Sequence, residues 1–67
     1  MKTFGEIIRE KRKAMRLSQY ALAKKLCTTQ QTVCYWETDK SYPTALMLVD
    51  IADVFDCSID DLFGRTR

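Results

Sequence analysis

The chain has 67 residues, 46% of them hydrophobic, with two Gly, one Pro and a net charge of +2. That is the length of one domain, too apolar for a disordered segment and too poor in breakers for a loop-rich one. No apolar run approaches the roughly 20 residues of a membrane span, and three cysteines with no His fall short of the four ligands of a structural zinc site. Phe4-Gly5-Glu6-Ile7-Ile8 is interrupted and soon charged, unlike a secretory signal, so the expected setting is a reduced cytoplasm, with no membrane partner and no cofactor.

Charge is placed unevenly. Residues 1–25 hold eight Lys/Arg against Glu6 and Glu10, a net of +6, while residues 44–67 hold five Asp against Arg65 and Arg67, a net of −3. One basic and one acidic half fit a protein that faces a polyanion on one side; a solvated, basic first helix gives the same pattern.

Period-two alternation and β-branched runs are absent, so the chain is predicted all-α. A first helix is expected over residues 3–15, opened by the capping-box pattern Thr3-Phe4-Gly5-Glu6, with Phe4, Ile7, Ile8, Lys11 and Met15 on one face. Arg16 and Leu17 link it to a second helix over 18–26, capped by Ser18 and burying Leu22, Ala23 and Leu26. Cys27-Thr28 forms a turn. A third helix over 29–37, capped by Thr29, opens on Gln30 and Gln31 and turns Val33 and Trp36 inward. After the loop Thr38-Asp39-Lys40-Ser41-Tyr42, Pro43 fits at or just before the first turn of a fourth helix over 44–55, which buries Leu48, Ile51, Ala52 and Phe55. Asp56 and Cys57 break it. Ser58-Ile59-Asp60-Asp61 caps a short fifth helix over 58–63, and Gly64-Arg65-Thr66-Arg67 reads as a frayed tail. Residues 1–67 are expected to form a single domain.

Two short helices joined by a tight turn, the second opening on two glutamines, have the layout of a helix-turn-helix. Leu17-Ser18-Gln19, Leu22-Ala23, Leu26, Thr29, Val33, Trp36-Glu37, Lys40, Pro43 and Ser58-Ile59-Asp60-Asp61-Leu62-Phe63 together resemble the phage-repressor/Cro-like (XRE-type) helix-turn-helix regulators. The resemblance covers about residues 4–63, and its order and spacing are specific where each motif alone is weak. It implies a compact five-helix lambda-repressor-like DNA-binding domain with the motif at helices two and three. It also implies a transcriptional regulator, usually a repressor, acting as a homodimer in the major groove of double-stranded DNA. The near-palindromic half-sites would lie about 34 Å apart.

On that resemblance Gln30 and Gln31 are the base readers, since a glutamine amide both donates and accepts, as the adenine edge requires. The bland alternative is a solvated helix start. Cys34 and Tyr35, one turn on, share that face and would offer apolar surface to a thymine methyl, with a phosphate also in reach of Tyr35; the bland alternative for Tyr35 is packing on its own helix. Gln19 matches a phosphate contact at a helix start. Thr29, Lys40, Ser41, Tyr42 and Arg12 are further phosphate candidates, against an ordinary polar loop for Lys40 and Ser41. Arg12 and Glu37 match a structural ion pair. The resemblance puts glycine at three helix ends that here carry Cys27, Asp39 and Asp56, so Cys27 implies local strain or a different turn. Leu46, Met47 and Phe63 are candidates for a dimer interface, unless they fold back onto the core.

The competing function is a protein-interaction module on the same scaffold, of antitoxin or anti-repressor type. An enzyme is not expected: the chain lacks His and shows no nucleophile–base pair or phosphate-cradling glycine loop.

Overall fold

The computed structural model describes residues 2–65, so the tail reading at Thr66 and Arg67 lies outside the described residues. Five helices follow one another: α1 (Phe4–Ala14), α2 (Gln19–Lys25), α3 (Gln30–Glu37), α4 (Ala45–Phe55) and α5 (Ile59–Leu62). Each begins one residue after a hydroxyl side chain that accepts a backbone N–H from the first turn, namely Thr3, Ser18, Thr29, Thr44 and Ser58. Such caps satisfy N–H groups that a helix leaves orphaned and are worth about 1 kcal/mol each. At Thr3 and Ser58 the box is reciprocal, with the Glu6 and Asp61 carboxylates accepting the cap N–H in return. Pro43 lies one residue before the Thr44 cap, outside the helix it introduces.

The helix ends are just as uniform. The N–H of Leu17, Thr28, Lys40, Cys57 and Arg65 donates to the carbonyl five residues earlier, on Arg12, Ala23, Tyr35, Ala52 and Asp60. The residue before each donor is left-handed: Arg16 (φ 58°), Cys27 (57°), Asp39 (59°), Asp56 (52°) and Gly64 (71°). This is the Schellman ending, which favours glycine because a Cβ crowds the left-handed backbone. Cys27 therefore keeps the ordinary turn and carries its strain, and Arg16 is a fourth non-glycine left-handed residue that the sequence pattern did not announce.

The core unites Phe4, Ile8, Leu22, Ala23, Leu26, Val33, Trp36, Ile51, Ala52 and Leu62, with Leu17, Met47, Leu48, Val54, Phe55 and Cys57 packed around it. The buried stripe of α1 differs from the expected one. It runs Phe4, Ile8, Arg12, at four-residue steps, while Met15 is an exposed helix cap. A charged residue holds a core position because its partner is buried with it, as described below. Gly5 explains how α1 approaches α3. A Cβ there would lie 2.5 Å from the carbonyl oxygens of both Trp36 and Glu37, so only a glycine lets the two backbones meet.

Cys27→Gly is expected to stabilise the fold by roughly 0.5–1 kcal/mol, relief of the left-handed strain outweighing the added freedom of the unfolded chain. Gly5→Ala is expected to cost about 2–3 kcal/mol by overpacking against backbone, reversing the gain alanine normally brings inside a helix. Thermal melts of both variants beside the parent check the signs; a stabilising Gly5→Ala would contradict the close packing.

Candidate nucleic-acid interface

The start of α2 and the end of α3 are held by one buried ionic cluster. Arg12 and Glu37 are 9% and 8% exposed. The Arg12 Nε donates to Glu37 Oε2 at 2.6 Å and Nη2 donates to Oε1 at 3.2 Å, a fork on both carboxylate oxygens. Nη1 donates to the Leu17 carbonyl at 2.7 Å, and the Gln19 amide Nε2 donates to Glu37 Oε1 at 3.1 Å. α1 and the first residue of α2 therefore converge on the carboxylate at the end of α3, and Arg12 also holds the α1–α2 link. Among the described residues no buried side-chain nitrogen or oxygen lacks a partner, as a buried charge requires. Removing one member of such a pair costs about 3–5 kcal/mol, because the other is left charged and dry.

That cluster anchors the carboxyl-terminal end of α3 and leaves the amino-terminal end projecting. Gln30 and Gln31 fill its first two positions and are exposed. The Gln31 Nε2 donates to the Tyr35 hydroxyl at 2.7 Å, one turn on. Cys34 is half-buried and Tyr35 exposed. Thr29 serves as the cap of α3: its hydroxyl accepts the Thr32 N–H at 3.2 Å and bonds the Thr32 hydroxyl at 2.8 Å.

The loop after α3 is seated on Tyr35. The Tyr35 carbonyl accepts the backbone N–H of Lys40 at 2.9 Å and of Ser41 at 3.4 Å, and the Lys40 Nζ stands 5.9 Å from the Tyr35 ring centroid. Lys40 is exposed and Ser41 half-buried. Tyr42 is exposed, with its ring edge against Phe4 at 5.8 Å. Gln19 is thus tied to the end of α3 through Glu37, and Gln31, Lys40 and Ser41 are each tied to Tyr35.

Asp39 is the residue of this region that the sequence signalled only as a missing glycine. Its Oδ2 accepts from the Thr3 hydroxyl at 2.6 Å and its Oδ1 accepts the Gly5 N–H at 3.0 Å. A left-handed residue at the end of α3 thereby caps the start of α1. The Thr3 hydroxyl first, then the Gly5 N–H, hold its carboxyl below the ordinary value of 3.8, with a smaller contribution from Tyr42.

The expected apolar trio separates. Leu46 is 82% exposed and Phe63 43%, whereas Met47 packs against the core. Phe63 also lays its ring 5.0 Å from that of Phe4. The three cysteines are free thiols. Among the described residues, no three His, Cys, Asp or Glu side chains are grouped to hold a metal ion, and no helix is long and apolar enough to cross a membrane.

Five capped helices with a short helix, a tight turn and a helix whose tip projects define a helix-turn-helix regulator domain. A model of the helix-turn-helix family matches residues 8–62, and the chain belongs to that family, in its phage-repressor, XRE-like branch. It is 39% identical over 56 residues to the HTH-type transcriptional regulator DicA of Escherichia coli (strain K12), a match that takes in 84% of this chain but only 42% of DicA. The fold superposes on the P22 c2 repressor in complex with a synthetic operator with a TM-score of 0.92 and 27% identity, covering 98% of this chain and 100% of that one. It also matches hydroxypropylphosphonic acid epoxidase from S. wedmorenis, with a TM-score of 0.81 and 33% identity. That match covers 90% of this chain and 32% of the enzyme, so the likeness is to part of the epoxidase.

Because the folded carboxyl of Asp39 titrates below 3.8, its contribution to stability is present above that value and disappears as pH falls through the lower, folded one. The melting-temperature gap between the parent and Asp39→Asn, which tolerates the left-handed backbone, should be constant above about pH 5 and close in stronger acid. A gap unchanged down to pH 2 would contradict the assigned role of the charge.

Proposed function

We propose that this domain binds double-stranded DNA sequence-specifically through the major groove. In this reading it is a small transcriptional regulator, a repressor acting as a homodimer on a near-palindromic operator. The observation that carries this is the asymmetry of α3: its carboxyl end is fixed by Arg12, Gln19 and Gly5, while its amino end presents Gln30 and Gln31 to solvent. The family, and the P22 c2 repressor's operator complex as the structural likeness, support it.

Gln30 and Gln31 read base edges, and Cys34 and Tyr35 line the same side of α3. Gln19 spends one amide N–H on Glu37 and keeps a second for a phosphate, at the positive end of α2. Lys40, Ser41 and Tyr42 grip the backbone from the loop, with Thr29 at the cap of α3. Arg12 is a positioning residue: three of its N–H groups are spent inside the protein, which leaves it at most a marginal phosphate contact. The domain spans residues 1–67 and works by binding, without catalysis, in the reducing cytoplasm.

Size supports pairing on DNA. Each copy measures 31 × 23 × 23 Å between its Cα extremes, so copies centred about 34 Å apart come within side-chain reach. Leu46 and Phe63 are the exposed apolar candidates for that contact, and Met47 packs against the core. The exposure of Leu46 also favours a second reading, a protein-interaction module that uses α4.

Gln30→Ala should weaken binding to the preferred site by about 5- to 150-fold and relax preference at one base pair. Lys40→Ala should weaken all sequences alike and reduce the salt slope by about 1. Titrations on specific and random DNA at several salt concentrations check this; equal losses for both variants on both DNAs would sink the readout assignment.

A further inference from the structure

One feature of α3 belongs to this chain's own side chains and bears on which base it selects. Gln31 and Tyr35 stand four residues apart on one helical face, and the link between them is direct: Gln31 Nε2 donates to the Tyr35 hydroxyl at 2.7 Å. Both residues are exposed, so the bond is available at the surface that meets a ligand. Tyr35 is itself held in place. Its carbonyl receives the N–H groups of Lys40 and Ser41 and the Thr38 hydroxyl, the last at 3.3 Å, and its ring lies beneath the Lys40 ammonium.

A free glutamine amide has no preferred polarity: turned one way it presents an acceptor, turned the other way two donors. With Nε2 committed to Tyr35, the polarity is set. Oε1 and the second Nε2 hydrogen are left for the base, an acceptor beside a donor. In the major groove an acceptor is satisfied by the N6 amino group of adenine or the N4 amino group of cytosine. The guanine edge shows only N7 and O6, and thymine only O4 and its methyl group, so neither offers it a donor.

We propose that Tyr35 is a positioning residue that fixes the polarity of the Gln31 amide, so that the Gln31 position of the half-site selects a base with an exocyclic amino group. Adenine is favoured over cytosine, because its N7 can accept the second Gln31 N–H while N6 donates to Oε1. This rests on the DNA-binding reading above. Lys40 shares the device: the residue that orients the base reader also seats, through its carbonyl, the loop proposed to grip phosphate, so register on the backbone and polarity at the base are set by one residue.

The test uses Tyr35→Phe, which keeps the ring beneath Lys40 and removes only the hydroxyl. Affinities are measured for four duplexes that carry each base at the Gln31 position of the site preferred by the parent protein. The parent should prefer adenine, then cytosine. Tyr35→Phe should lose about fivefold on adenine, the worth of one hydrogen bond, and should gain on guanine, because the released amide can turn its donors outward. Its salt slope should be unchanged. In a Gln31→Ala background, Tyr35→Phe should change affinity by less than about twofold, since nothing remains for the hydroxyl to orient. The free protein gives an independent readout: the Gln31 side-chain amide resonance should show a hydrogen-bonded proton that Tyr35→Phe abolishes. Guanine rejected equally by both proteins, additive losses in the double variant, or an unmoved amide resonance would each overturn the proposal. A parent protein with no sequence preference would overturn the base selection together with the DNA reading. The amide resonance, measured without DNA, separates that outcome from failure of the hydrogen bond itself.

Discussion

The Glu37 carboxylate is the point on which the rest of the molecule depends. It receives two N–H groups from Arg12 and one from Gln19, and so joins the last turn of α1, the start of α2 and the end of α3. Apolar contacts alone would hold these helices together but would tolerate small rotations. A forked arginine–carboxylate pair fixes direction as well as distance. Two neighbouring features complete the junction: Gly5 lets α1 touch the Trp36 and Glu37 carbonyls, and Asp39 reaches back to cap α1. The end of α3 is gripped from three sides, and its other end is free to project.

This division matches what a reading device needs. A base contact that discriminates between sequences must be placed to within a fraction of an ångström, so the supporting residues have to be more rigid than the reading ones. Here the rigid part is buried and internally satisfied, and the variable part is a pair of exposed glutamines on the tip. The phosphate-facing candidates are attached to the same frame, Gln19 through Glu37 and the Lys40–Ser41 segment through Tyr35.

Much of the fold could be read in the sequence because its signals are local. Thr3 with Glu6 and Ser58 with Asp61 are capping boxes complete within four residues, and the spacing of Leu22, Ala23, Leu26, Val33 and Trp36 places them inward. What escaped depends on distant partners. Arg12 takes a core position only because Glu37, 25 residues away, neutralises it, which displaced the expected stripe from Met15. Gly5 appeared only as part of a capping-box pattern, and its close approach to backbone depends on α3. Asp39 stood out only as a residue in the place of a glycine, yet its side chain supplies a cap 34 residues back along the chain. Arg16 gave no warning of its left-handed backbone, since the Schellman ending declares itself clearly only when glycine fills that place. At the interface, the sequence marked Gln31 and Tyr35 separately, while the bond between them is a matter of rotamers.

The most direct test of the account is selection of bound duplexes from a random DNA pool by the parent protein and by a Gln30→Ala, Gln31→Ala variant. The expected result is enrichment of two inverted half-sites centred about one helical turn, roughly 34 Å, apart, with that enrichment lost in the variant while weak, salt-sensitive binding to any duplex remains. A pool that stays unenriched, or the same motif selected by both proteins, would contradict it.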